Sequence, residues 1–326
     1  MTLRLRYAVL LGSLVALALP AAQALAQKDY PEKPIRMIVP FAPGGSNDIM
    51  GRLVAAKFTE NMGQQVVVDN RPGASGIIGT DLAAKAAPDG YTVLVMSLTF
   101  TVNPSIRSKL PYDTDKDLVP VTVIASAPLI LVVHPSLPVK SVREFIAYAK
   151  ANPGKLNFGS GGPGSTPHLA GEMLKSMAGL QMTHIPYKGG GPALADLVGG
   201  QIQLMLENIP STLPFVKSEK LRVLAVTSKK RSPTVLDVPT LDEAGLKGYE
   251  LTGWNGLFVP RGTPRAIVNR LHAETVKALA APDVKQRLAA MSAEPGGEPP
   301  ETFAAFVKAE IRKWAKIAKE AGLKVE

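Results

Sequence analysis

Short apolar runs alternate along the chain with segments whose apolar positions recur at helical spacing, and glycine-rich turns stand between them. Ile35 to Phe41 is nearly continuously apolar, the pattern of a strand buried on both faces of a parallel sheet. Ile49, Met50, Leu53, Val54 and Phe58 then recur at helical spacing, and Gly63 supplies the stop. Val66-Val67-Val68 predicts a second strand. The loop Arg71 to Gly76 leads to a short alanine-rich helix, Pro88-Asp89-Gly90 turns the chain, and Tyr91 to Met96 predicts a third strand. The unit is β-α-β-α-β, which predicts an α/β fold.

After Asn103-Pro104 the pattern loosens. Two short strands are predicted at Val119 to Ile124 and Leu129 to Val133, separated by Ser126-Ala127-Pro128, where the chain is expected to cross into another domain. Ser141 to Glu144 is a capping box opening a helix that Asn152-Pro153-Gly154 ends. A second α/β series follows. Its strands are predicted at Leu156 to Phe158, Met182 to Ile185, Ile202 to Leu206 and Leu221 to Thr227. Helices are predicted from Thr166-Pro167, from Pro192 and near Pro214. Ser228 to Trp254 reads as a loop-like return crossing, interrupted by a second capping box at Thr240 to Glu243. Gly256 to Pro260 predicts a strand and Thr263-Pro264 opens a helix to about Ala280. A last helix after Pro299 is expected to bury Phe303, Phe306, Val307, Trp314 and Ile317.

Composition adds the compartment. Arg4 and Arg6 precede an apolar run from Tyr7 to Leu19, and Ala24-Leu25-Ala26 offers a small-residue cleavage site, so residues 1–26 read as a secretory signal peptide. The remainder, about 300 residues, suits two ordinary domains and is expected to be exported and soluble. The chain contains no cysteine, which excludes disulfides, thiolate metal sites and a lipidated cysteine. The formal charge is +10, and loss of Arg4 and Arg6 with the leader leaves +8. These cations are scattered and not interleaved with aromatic residues, which fits attraction of small anions better than nucleic-acid binding.

Three glycine-rich turns carry the candidate chemistry. Val39 to Arg52 ends an apolar run in Gly44-Gly45 and opens a helix that Ser46 or Asn47 can cap. Gly159 to Thr166 and Tyr187 to Pro192 repeat the arrangement. Bare N–H groups and the macrodipole make such helix starts sites for a carboxylate or phosphate, although a glycine turn also serves as plain chain reversal. Gly159, Gly161 and Gly164 satisfy G-x-G-x-x-G, but Thr183 to Tyr187 lacks the acidic residue a dinucleotide site requires. No glycine cluster continues as a P-loop, so no cofactor is expected. No serine sits in G-x-S-x-G. His134, His184 and His272 are isolated, which leaves no metal site. Ser165 and His168 are the one nucleophile and base pair worth weighing. Against it, His168 reads as a polar residue of a first helical turn. Asp48 reads equally as a ligand contact or as a receiver of loop N–H groups. Tyr187 and Trp254 read equally as core or cleft lining.

The chain resembles the Bug family, the periplasmic solute-binding proteins of tripartite tricarboxylate transporters. The resemblance is carried by Pro40 to Gly45 with Asp48 and Arg52, Asn70 to Ala74, Pro88 to Thr92, Gly164-Ser165 with His168 to Gly171, and Pro186 to Gly189. Val238-Pro239-Thr240, Glu243-Ala244-Gly245 and Pro260 with Gly262-Thr263-Pro264 complete it. It implies a type II periplasmic binding fold, two α/β lobes closing over a cleft: lobe 1 from residues 27–125 and 250–326, lobe 2 from 126–249. It further implies a bound carboxylate held by Phe41, Ala42, Gly44, Gly45, Ser46 and Asp48 from one lobe and Ser160, Gly161, Gly164, Ser165 and His168 from the other, with Tyr187, Lys188 and Gly189 as a further wall. Members often carry an aspartate after the strand that ends here in Leu206; this chain reads Glu207-Asn208. The implied role is a monomeric binding protein, not an enzyme, that delivers a small organic carboxylate to a membrane permease. A hydrolase using Ser165 and His168, or a sensor presenting the same ligand, are the alternatives.

Overall fold

A computed structural model of the chain describes residues 30–320; the expected leader, residues 1–26, lies outside the described residues. The first α/β unit forms as the pattern predicts: β1 (Ile35–Val39), α1 (Ser46–Met62), β2 (Val66–Asn70), α2 (Ile77–Ala84) and β3 (Thr92–Ser97). Gly63 closes α1 at φ 70°, where a Cβ would be strained. β2 and β3 flank β1 in parallel. A helix not foreseen, α3 (Thr99–Ile106), follows and accommodates Pro104 near its end.

The largest departure is β4. The two short strands expected around Ser126-Ala127-Pro128 are one strand, Leu118–Val133. Its first part pairs antiparallel with β9 (Thr252–Pro260) as far as Pro128. From Leu129 and Ile130 onward it pairs with β7 (Leu204–Asn208) and β8 (Arg222–Val226). Pro128, which has no N–H to give, therefore sits where the chain changes ladders, and the proline does not break the strand. The ten strands among the described residues make one continuous sheet of order β2-β1-β3-β9-β4-β7-β5-β6, with β8 and β10 (Glu294–Pro295) on β4. Beyond β4, β5 (Leu156–Ser160) pairs in parallel with β6 (Met182–Pro186) and β7. The return crossing runs beside β4, with Thr227 N–H on Leu129 O and Leu251 N–H on Thr227 O.

The helices of the second half are α4 (Val142–Ala151), α5 (Thr166–Ala178), α6 (Gly190–Val198) and α7 (Ile209–Lys217). Ser141 Oγ caps α4 by accepting Glu144 N–H, as expected. The Thr240 capping box forms reciprocally, but it closes a turn and no helix follows. Ser165, one residue before the expected Thr166, caps α5. The helix after Thr263-Pro264 is α8 (Arg265–Ala280), with the expected end; a further helix not foreseen, α9 (Pro282–Ala290), follows at once with Pro282 as its first residue. In α10 (Pro300–Glu320), Phe303, Val307 and Trp314 are buried, whereas Phe306 is 39% exposed and packs edge-on against Trp254. Phe303 and Trp314 join one apolar cluster with Phe258 of the first lobe and Leu129 and Phe158 of the second, so a continuous core ties the halves together.

Candidate functional site

The starts of α1, α5 and α6 converge on one cavity between the lobes. It is lined by Phe41, Gly45, Ser46, Asn47, Ser97 and Thr99 of the first lobe, and by Gly161, Ser165, Thr166, Pro167, Gly190, Glu207 and Asn208 of the second. Gly253, Trp254 and Asn255 of β9 complete the lining. Each helix start brings the positive end of its dipole; in α5, Pro167 has no N–H and Ser165 Oγ accepts that of His168. No side chain caps α1 or α6, whose N-cap residues are Gly45 and Gly189. The expectation that Ser46 or Asn47 caps α1 is corrected. Ser46 Oγ donates to Asn255 Oδ1 at 3.0 Å and Asn47 Oδ1 accepts from Asn255 Nδ2 at 2.9 Å, so both tie the helix start to β9.

Asp48 and His168 hold equivalent places, third in α1 and α5, and do the same work. Asp48 Oδ2 accepts Gly44 N–H at 3.1 Å, and His168 Nδ1 accepts Gly164 N–H at 3.0 Å. Each side chain thus turns back onto its own glycine loop, and neither is among the cavity-lining residues. Burial opposes ionisation of Asp48, but hydrogen bonds from Arg52, Gly44 and Asn70 outweigh it and hold the carboxyl below the usual carboxylate range. Burial pushes His168 down, so that brace is neutral. His168 lies 4.1 Å, ring centroid to centroid, from His184. Burial, then the His168 ring and Lys175, push His184 down to about 3. Ser160 Oγ is fully buried beneath the loop, 2.6 Å from His184 Nε2, and accepts Gly162 N–H at 3.0 Å. Ser165 Oγ accepts the backbone N–H of His168 while the imidazole is engaged with Gly164, so hydroxyl and ring are not set up as nucleophile and base.

The remaining expected residues form the seam where the lobes meet. Ala42 N–H donates to Lys188 O at 3.1 Å across the cleft. A Cβ on Gly189 would stand 2.8 Å from Ala42 N, and one on Gly191 would collide with Pro43 O. Gly44 takes φ 86° in the facing turn. Tyr187 points away, its hydroxyl donating to Asp196 Oδ2 at 2.7 Å. The lobes are closed on the cavity, leaving about 30 Å³ of free space, room for a water or two.

Of the fourteen residues expected at the ligand, Phe41, Gly45, Ser46, Gly161 and Ser165 line the cavity; the others brace the loops or the seam. Ser97, Thr99 and Asn255 were not foreseen, being polar residues at or near the ends of apolar strands. Glu207 is 2% exposed. Its Oε1 accepts from Asn208 N at 2.8 Å and Nδ2 at 2.9 Å, while Oε2 has no partner among the described residues. Burial pushes this carboxyl up, against the two hydrogen bonds from Asn208.

Two lobes, joined by a shared strand and a return crossing and closing on a cleft at the helix starts, define a ligand-binding protein of the type II periplasmic fold. The profile of the tripartite tricarboxylate transporter family receptor matches residues 50–323, and the chain belongs to that family. BugT of Bordetella pertussis is 39% identical over 323 residues, covering 98% of this chain and 99% of its own. The periplasmic binding protein BugD superposes with a TM-score of 0.88 at 37% identity, over 91% of this chain and 100% of BugD. R. palustris Rpa4515 with adipate gives 0.88 at 40% identity, over 90% and 99%.

Proposed function

We propose that this chain is an exported, periplasmic receptor that captures a small organic mono- or dicarboxylate between its lobes and delivers it unchanged to the membrane permease of a tripartite tricarboxylate transporter. The observation that carries the reading is the convergence of three helix starts, one from the first lobe and two from the second, on one cavity. About half a positive charge at each start favours an anion, and the backbone donors match carboxylate oxygens. No described helix is long and apolar enough to cross a membrane. The ladder change at Pro128 and the crossing near Thr227 and Leu251 support lobe boundaries near residues 125 and 250. Adipate on a relative with 40% identity supports a linear acid of that class. Such an acid needs more room than the closed cavity leaves, so the lobes part to admit it and close behind it.

A thermal-shift panel of four- to eight-carbon mono- and dicarboxylates, adipate among them, tests the reading, with sugars and amines as controls. A ligand at a hundred times its Kd stabilises the native state by about 2.7 kcal/mol. A response to none of the acids, or to sugars or amines alone, refutes it.

A further inference from the structure

Glu207, next to last in β7, lines the cavity beside the start of α6. A Cβ on Gly190 would stand 2.8 Å from its Oε2, so only glycine at that position lets the carboxyl approach the first turn of α6. The carboxyl, on a residue that lines the cavity, has one oxygen satisfied twice by Asn208 and the other buried beside Gly190 with no partner among the described residues. A fully buried carboxylate left with an unpaired oxygen is costly unless it holds a proton or meets a cation.

Among the described residues, the elements around it bring no free cation to it, Lys57 of α1 being held by Glu60 and Asp283. β4 and β5 carry no titratable side chain. In α1, Asp48 and Arg52 pair with each other, and in α5, Glu172 holds Lys175 while His168 is turned to Gly164. In α6, Asp196 accepts from Tyr187, and Lys217 sits exposed at the far end of α7. Lys188, before α6, is exposed, and the other lining residues are neutral.

Building on the carboxylate reading above, we propose that Glu207 meets the ligand as a neutral carboxylic acid whose Oε2–H donates to a ligand carboxylate oxygen, so that capture and closure take up one proton. An ionised Glu207 in the same place would repel the guest that the helix starts attract. Glu207 is then a specificity-determining residue: it favours ligands presenting a bare acceptor at that wall and disfavours those that would need a carboxylate there, such as ammonium-bearing acids. The burial that drives the carboxyl upward acts in the same direction.

The test uses the panel acid giving the largest thermal shift, titrated calorimetrically between about pH 7 and 9, where the free acids are fully ionised. Wild type is expected to lose affinity as pH rises, approaching tenfold per unit, and to show net proton uptake when buffers of different ionisation enthalpy are compared. In Glu207→Gln, which donates but cannot titrate, the pH slope and the proton uptake are expected to vanish. If the variant does not fold, the two-buffer measurement on wild type decides alone. Binding with no proton uptake, or with the same slope in both proteins, overturns the neutral acid while leaving carboxylate capture standing. If no panel acid binds at any pH, carboxylate capture fails and this proposal fails with it.

Discussion

Gly191→Ala isolates lobe closure from folding. Gly191 is the second residue of α6 and its backbone is not in the left-handed region, so alanine is tolerated locally. Its added Cβ meets only the other lobe: it would collide with Pro43 O and lie 3.2 Å from Pro43 C and 3.5 Å from Gly44 C. Seating the methyl requires the seam to open by roughly 1 Å, which breaks the adjacent Ala42 N–H to Lys188 O bond, now at 3.1 Å. Losing that bond costs about 1 kcal/mol, and overpacking adds about 1–3 kcal/mol. All of it falls on the closed state. At 1.4 kcal/mol per decade, ligand affinity drops roughly 30- to 700-fold. The open form carries no penalty, and alanine in a helix gains up to about 1 kcal/mol over glycine. The melting temperature of the free variant therefore stays level or rises while calorimetric affinity collapses, and small-angle scattering with ligand shows no compaction. Gly199→Ala, at the other end of α6 and away from the seam, is the control. Wild-type affinity in Gly191→Ala, or a loss of thermal stability, refutes the seam as the closing contact.

Asn255→Ala unhooks Ser46 and Asn47, and urea melts should show a loss of about 1–2 kcal/mol; an unchanged midpoint would mean that these bonds hold nothing. Asp48→Ala leaves Gly44 N–H without an acceptor, takes from Arg52 its carboxylate and from Asn70 Nδ2 one of its two acceptors (Phe41 O remains), a loss of about 1–3 kcal/mol at neutral pH. Because the native Asp48 carboxyl is held low, its contribution is present above the unfolded value near 3.9 and lost as pH falls through the native one. Melts from pH 6 downward should therefore converge for wild type and variant; parallel curves would refute the assignment. His184 is also lowered, to about 3, so the native state loses stability as pH falls from about 6.5 toward that value. His184→Gln should flatten that limb, and an equal slope in both proteins would show that another group controls it.

The glycine turns were legible in the sequence because their cause is local: an apolar run, a residue tolerating a sharp turn, then helical periodicity. β4 was not legible, since the reason Pro128 does not break it is tertiary. The strand exchanges partners there, and nothing in residues 118–133 names the partners. The cavity divides along the same line. Gly45, Gly161 and Ser165 announce themselves, whereas Asn255 lies more than two hundred residues from the helix start it anchors. A lone amide in the otherwise apolar stretch Trp254 to Pro260 was the available signal, as was a charged residue closing the apolar run Leu204 to Leu206 at Glu207. Asp48 and His168 show a subtler limit. Polarity beside a glycine turn marks them as chemically engaged, but their position third in the helix sends the side chain back to the loop N–H.

That geometry bears on selectivity. The two lobes solve one problem with different chemistry: an ionised Asp48 braced by Arg52 on one side, a neutral His168 packed against His184 on the other. Each consumes the N–H of a loop glycine, Gly44 or Gly164, and so fixes the loop that leads into its helix start. On the carboxylate reading proposed above, backbone donors at the helix starts would recognise a carboxylate group but could not tell one acid from another, because every acid offers the same two oxygens. Discrimination must come from the side chains that line the cavity, among them Glu207, Asn208, Trp254 and Asn255. Exchanging residues there should change which acid binds, whereas exchanging the braces should weaken all acids alike. A panel profile for Asp48→Ala that is re-ranked, and not uniformly lowered, would refute that division.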